Sequence, residues 1–170
     1  MGIFRRSQSE PLAVTMAGVK LGDRFLSIGV RDPTLVAALA VKAGLTGRAC
    51  AVDADSSRAS AGANKVEAEG ALVEVSHAPW DAMPFDAASF DVAVARDVFS
   101  TLPPGDRTRC AAETLRVLRG GGRLVIVEGS KRARVDSASL TSALTGAGFA
   151  AVRVLAEADH TIFVEGIKRA

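Results

Sequence analysis

Phe25-Leu26-Ser27-Ile28-Gly29-Val30-Arg31-Asp32-Pro33-Thr34-Leu35 joins an apolar run to a helical pattern across a single glycine. Residues 25–28 suit a short buried strand. Asp32 suits a helix N-cap, because its carboxylate can accept from the amides that open a helix. Pro33 suits the first helical position, where an amide would be orphaned anyway. Behind it, Leu35, Ala38 and Leu39 share one face at i, i+3, i+4 spacing. The stretch therefore reads as strand, tight turn and helix. In open α/β sheets ligands sit outside the carboxyl ends of the strands, so this turn is where a site is expected.

The alternation continues in both directions. Helix is expected over 33–43, ending near Gly44, then strand over 49–52 closing on Asp53, helix over about 57–69 and strand over 72–75. A fourth strand follows over 90–95 and a helix over 106–118, with Ala111, Leu115 and Leu118 on one face. Gly120 to Gly122 suit a left-handed cap on that helix and a sharp return into a fifth strand over 123–128. After a helix over 137–147, strands over 151–155 and 161–167 are linked only by 156–160. So short a link makes them an antiparallel pair, since a parallel crossover needs a dozen residues or more. The expected fold is α/β, a doubly wound Rossmann-like sheet, mostly parallel with one antiparallel strand in a C-terminal hairpin. Residues 12–19 are expected as a short helix or strand packed at the sheet's edge, after a polar, frayed start. The domain reading is a partly flexible segment over 1–20 and one domain over 21–170.

The chain has 170 residues, 48% of them hydrophobic, enough for one sizeable core. Its 21 basic and 19 acidic residues leave a net charge of +2, which gives no reason to expect nucleic acid. Cys50 and Cys110 are 60 positions apart and show no metal-ligand spacing, so both are read as buried free thiols and no metal is expected. No apolar run reaches the roughly 18 residues of a membrane span. Phe4 is followed by Arg5 and Arg6 rather than by an apolar export signal. The expectation is a cytoplasmic protein with no membrane association.

Four stretches resemble the class I S-adenosylmethionine-dependent methyltransferases, over about residues 20–168. They are the segment 25–35; Ala51-Val52-Asp53-Ala54-Asp55 at the end of the second strand; Met83-Pro84-Phe85-Asp86-Ala87-Ala88-Ser89-Phe90-Asp91-Val92 before the fourth; and Leu115-Arg116-Val117-Leu118-Arg119-Gly120-Gly121-Gly122-Arg123-Leu124 before the fifth. The resemblance implies S-adenosylmethionine as cofactor and methyl transfer as activity. It implies cofactor-binding roles for Ser27, Gly29, Val30, Arg31, Asp53, Ala54, Trp80, Asp81 and Arg96. Asp53 is expected to accept from both ribose hydroxyls, with a helix cap as the other reading. Trp80, the one tryptophan, is read as stacking on adenine or as a core or rim residue; Asp81 is read as an adenine contact or a solvated acid.

The family's first motif is commonly an acid followed by Gly-x-Gly-x-Gly. Here Ser27 replaces the acid, Arg31 the second glycine and Pro33 the third. Arg31 either repels a cationic cofactor or grips its carboxylate, with Asp32 and Asp53 as its other candidate partners. A nicotinamide dehydrogenase is disfavoured because Gly-x-Gly-x-x-Gly is absent after the first strand.

Transfer of a methyl group from a sulfonium is an in-line displacement that an enzyme can promote by alignment alone, so no catalytic residue is singled out. His77 is read as a loop residue or a general base, and Arg96 and Asp97 as substrate contacts or a local ion pair. The connection 129–136 is short and basic, with Lys131, Arg132 and Arg134, and leaves the pocket without a lid. The acceptor is unassigned, and a homodimer or protein partner is left open. The alternative reading is a catalytically inactive methyltransferase-fold domain acting in protein association.

Overall fold

A computed structural model describes residues 11–129 and 135–170. The elements in order are α1 (Pro11–Ala17), β1 (Arg24–Ile28), α2 (Pro33–Ala43), β2 (Arg48–Asp53), α3 (Ser56–Ala68), β3 (Glu74–His77) and β4 (Phe90–Arg96). They continue with a 3₁₀ turn (Phe99–Thr101), α4 (Pro104–Val117), β5 (Leu118–Gly129), α5 (Ser137–Ala147), β6 (Ala150–Ala158) and β7 (Thr161–Ile167). The seven strands form one sheet in the order β3-β2-β1-β4-β5-β7-β6. The β1–β2, β1–β4, β2–β3 and β4–β5 pairs are parallel, while β7 runs against both β5 and β6. The expected α/β sheet with one reversed strand is the fold observed.

Helices cover both faces, which is why the central strands are apolar at nearly every position. On one face Leu26, Ile28, Leu124 and Ile126 pack with Cys110 and Ala111 of α4 and Leu140 and Leu144 of α5. On the other, Phe25, Val92, Val94, Val125 and Val127 pack with Ala13 and Ala17 of α1 and Leu35 and Leu39 of α2. The 12–19 segment is thus a helix lying over the sheet, not at its edge: small alanines let α1 sit flat. Arg123 reinforces it, donating to the Ala17 carbonyl while pairing with Glu165.

Two further expectations are corrected. The third strand runs over Glu74–His77 rather than 72–75, and Leu72 is largely exposed. The apolar run Ala71-Leu72-Val73 suggested a strand, but the outermost strand pairs along one side only and needs little apolar content. Second, the three glycines do not cap α4. That helix passes at Val117 straight into extended Leu118, which pairs with Phe90. Gly121 (φ +75) lies inside β5, where an irregularity separates the Phe90 and Val92 pairings. The glycines are held there from the far end of the chain: Gly121 donates to the Lys168 carbonyl at 2.9 Å and Lys168 to that of Gly122 at 2.8 Å.

The final link shortens from 156–160 to Asp159-His160, both with φ near +55 (50 and 60), the backbone favoured by two-residue hairpins. Cys50 and Cys110 are free and buried, and desolvation pushes their thiols up to about 11 and about 12. Among the described residues, no helix is long and apolar enough to cross a membrane. The frayed start over 1–10 and the basic residues Lys131, Arg132 and Arg134 lie outside the described residues.

Candidate functional site

The site is built where β1, β2 and β4 end. Gly29 adds one bond to the β1–β2 ladder, its amide donating to the Val52 carbonyl at 2.7 Å, and then turns the chain at φ +86. Only glycine suits this position on two counts: left-handed backbone, and a Cβ that would stand 2.7 Å from Val98 Cγ2. Ser27 fixes the turn from below, its hydroxyl donating to the Gly29 carbonyl at 2.7 Å. Asp32 caps α2 as expected, accepting from the Leu35 amide at 3.0 Å. Gly62 lets α3 close onto the same turn, because a Cβ there would meet Val30 Cγ2 at 2.5 Å.

Asp53, at the end of β2, is fully buried. Its carboxylate gathers three donors. Val30 N donates to Oδ2 at 3.1 Å, Asp55 N to Oδ1 at 3.0 Å, and Arg58 Nε lies 3.1 Å from Oδ1 and 2.9 Å from Oδ2. Asp53 thus joins the first turn to the start of α3. It does not cap that helix; Asp55 does, accepting from the Arg58 amide at 2.7 Å. That hydrogen bond is the leading reason why the Asp55 carboxyl lies below the usual range.

Beside this cluster, Ala54, Pro79, Trp80, Asp81, Leu102, Asp106 and Arg109 line a cleft of about 180 Å³. Its floor is the half-buried Trp80, whose indole reaches back over Gly29: Cη2 would lie 3.7 Å from a Cβ there. Its rim is charged, with Asp81 and Arg109 3.7 Å apart and Arg109 also bonded to Asp106. At the end of β4, Arg96 Nε pairs with Asp97 Oδ2 at 3.1 Å, and Asp97 Oδ1 accepts from Gly129 N at 2.9 Å. One strand over, the fully buried Glu128 accepts from Ser100 N at 3.2 Å through Oε1, while Oε2 has no hydrogen-bond partner among the described residues. Burial raises the Glu128 carboxyl above its ordinary range.

The residues singled out in the sequence thus fall into three groups. Gly29, Val30 and Asp53 form the turn cluster, and Ala54, Trp80 and Asp81 line the adjoining cleft. Ser27 is buried and serves the turn itself, Arg96 pairs with Asp97, and Arg31 stands exposed with no ion pair to a described residue, Asp32 and Asp53 being engaged elsewhere. His77 is an exposed residue whose Nε2 is 3.2 Å from the Ala54 carbonyl. The sequence reading missed Arg58, Val98, Leu102, Arg109 and Glu128. For Arg58 a signal existed: a cation in the first turn of a helix runs against the helix dipole and calls for a nearby anion.

The chain is similar to known proteins at three levels. A family model described as a methyltransferase domain matches residues 26–126, from within β1 to within β5. The ubiquinone/menaquinone biosynthesis C-methyltransferase UbiE of Chromobacterium violaceum is 33% identical over 119 residues, covering 69% of this chain and 48% of that protein. The chain therefore spans about half the length of this curated relative. A structure described as a SAM-dependent methyltransferase from Aquifex aeolicus shares the fold with a TM-score of 0.80 at 21% identity, covering 92% of this chain and 87% of that one. A structure titled PigF with SAH gives 0.69 at 16% identity, covering 86% and 50%. The last two show the fold alone. With the family model matching more than half of its length, and that match containing the turn, Asp53 and the cleft residues Trp80 and Asp81, this chain belongs to the methyltransferase-domain family.

Proposed function

We propose that this protein binds S-adenosylmethionine at the carboxyl ends of β1, β2 and β4 and transfers its methyl group to an acceptor. The observation that carries this reading is the juxtaposition of the Gly29–Asp53 cluster with the Trp80–Asp81 cleft at one end of the sheet. The donor and acceptor chemistry fits an adenosine-bearing group. A flat indole beside an acid suits a purine with an exocyclic amine, and a carboxylate at the end of the second strand suits a ribose diol. One feature opposes the fit, since Arg58 already occupies Asp53.

In this reading Trp80, Ala54 and Leu102 hold the purine by apolar contact, Asp81 accepts from its amine and Asp53 accepts from the ribose. Arg31, exposed beside the first turn, grips the carboxylate of the amino-acid end. S-adenosylmethionine, when bound, supplies an electrophilic methyl on a sulfonium. The residues of this chain contribute alignment and exclusion of water, which is enough for a displacement of this kind. The curated relative is named as a C-methyltransferase, which supports a carbon acceptor as the first class to test.

The test uses the chain's one tryptophan. Trp80 emission and melting temperature are followed while the protein is titrated with S-adenosylmethionine and S-adenosylhomocysteine. Saturable quenching is expected, with stabilisation of about 2.7 kcal/mol at a hundredfold excess over Kd. The exposed Asp81→Ala variant is expected to bind more weakly at unchanged stability. An unchanged spectrum and melting temperature at millimolar ligand refute the reading.

A further inference from the structure

The three donors on Asp53 differ in kind. Val30 N and Asp55 N belong to backbone held by the α2 and α3 caps and by the close approach of Gly62, so neither can leave without unwinding a turn. Arg58 arrives on a long side chain that keeps 29% of its surface in solvent. It is also in an unfavourable place: with Asp55 as N-cap, Arg58 is the third residue of α3, where the helix dipole disfavours a cation. What draws it back over the helix start is a fully buried carboxylate, which is costly without a counter-ion. A second resting place lies close by, since the exposed Asp55 carboxylate already accepts from the Arg58 amide at 2.7 Å.

We infer that Arg58 is a latch on the cofactor site: its guanidinium neutralises Asp53 in the unliganded protein and must withdraw for a ribose diol to take its place, so Arg58 sets the affinity for the cofactor. The inference rests on the cofactor reading above and adds a residue and a mechanism to it. Binding exchanges one charged donor for two neutral hydroxyl donors on the same oxygens, so part of what the diol gains is offset by what the guanidinium loses. Apparent affinity is reduced by the fraction of molecules in which the pair is closed, and removing the arginine removes that reduction. Arg58 is a positioning residue in this scheme, because it acts through Asp53.

The test compares wild type with Arg58→Gln, both checked for folding by circular dichroism, by calorimetry and Trp80 emission. S-adenosylhomocysteine is the main probe; adenosine and 2′,3′-dideoxyadenosine form a matched pair with and without the diol. Arg58→Gln is expected to tighten S-adenosylhomocysteine by about tenfold. Loss of the diol should weaken wild type by about threefold or less, and Arg58→Gln by about tenfold or more, the signature of two groups coupled through one carboxylate. If wild type binds but Arg58→Gln binds no tighter, and the diol is worth the same to both, Arg58 is a structural staple; the latch is overturned and the cofactor reading stands. If neither protein binds any probe, both ideas fall. Should Arg58→Gln not fold, wild type alone decides: a diol worth about tenfold or more there means that Asp53 is already free to accept it, and overturns the latch.

Discussion

Replacing Asp53 with asparagine removes one charge and almost no volume, yet it should cost the fold about 2–5 kcal/mol. Three donors converge on the carboxylate: Val30 N at 3.1 Å, Asp55 N at 3.0 Å and Arg58 Nε at 2.9 Å. An asparagine keeps one acceptor oxygen. Its amide nitrogen must face either the Val30 or the Asp55 N–H, donor against donor in a site closed to water, and an unsatisfied buried amide costs about 1–3 kcal/mol. Breaking a fully buried ion pair costs about 3–5 kcal/mol. Arg58 is 29% exposed and can turn to solvent, so screening lowers this part to about 1–2 kcal/mol. The sum is a large fraction of the roughly 5–15 kcal/mol that holds a domain together. Urea unfolding of wild type, Asp53→Asn, Arg58→Gln and the double variant measures the total and the coupling between the two residues. Arg58→Gln alone should lose about 1–2 kcal/mol, its partner retaining two backbone donors. An Asp53→Asn loss below about 0.5 kcal/mol would refute the reasoning, because it would mean that the three donors are satisfied without the carboxylate.

Three other outcomes follow from the same geometry. Gly29→Ala should lose about 2–5 kcal/mol, combining about 1–2 for left-handed backbone with about 1–3 for a Cβ forced against Val98; a shift in urea midpoint equivalent to under about 1 kcal/mol would mean that the turn relaxes. At the amino edge of the sheet, burial alone would raise the Asp91 carboxyl, but hydrogen bonds from the Arg24 side chain and backbone and from Arg119 outweigh it and hold the group at about 2. A depressed carboxyl stabilises above its unfolded value of 3.8 and loses that contribution as pH falls towards 2, so Asp91→Asn should flatten the stability profile between these limits. Glu128 has the opposite sign: desolvation raises its carboxyl, so the folded state loses stability as pH rises through the unfolded value of 4.5. Glu128→Gln keeps an acceptor for Ser100 N and should therefore stabilise at pH 7.5 but not at pH 4, and an equal loss at both pH values would contradict this account.

Where local chemistry decides a boundary, the sequence carried it. Asp32, Pro33 and Gly44 delimit α2, Asp136 and Gly148 delimit α5, and both helices lie where caps and glycines put them. Boundaries set from a distance were not legible. Gly120 to Gly122 look locally like the end of a helix, and pairing with residue 168, together with the β4 pairings on either side, draws them into β5. The polar strand β3 owes its place to the β2 ladder, in which Cys50 to Asp53 pair with Glu74 to His77, and not to its own hydropathy. The site divides in the same way. Gly29 and Asp53 were singled out from their positions at strand ends, and Trp80 and Asp81 from the family resemblance before the fourth strand. Arg58 was passed over because its role depends on a side chain folding back across a helix start.

The altered first motif can be weighed by asking what each position needs. Gly29 must be glycine, with φ +86 and Val98 at 2.7 Å, and it is. The position held by Arg31 faces solvent, so no close backbone approach there requires a glycine, and a side chain is accommodated without distortion. Pro33 begins α2, where its ring fits and a glycine would only add chain entropy. Glycine is therefore retained where packing is tight and lost where the structure is open or helical, and the turn keeps its hydrogen bonds to Ser27, Val52 and Asp53 throughout. Loss of the glycines thus leaves the frame of the site in place. What governs the site is electrostatic: one buried carboxylate, one arginine that holds it from α3, and a second arginine, Arg31, exposed on the turn that the same carboxylate braces.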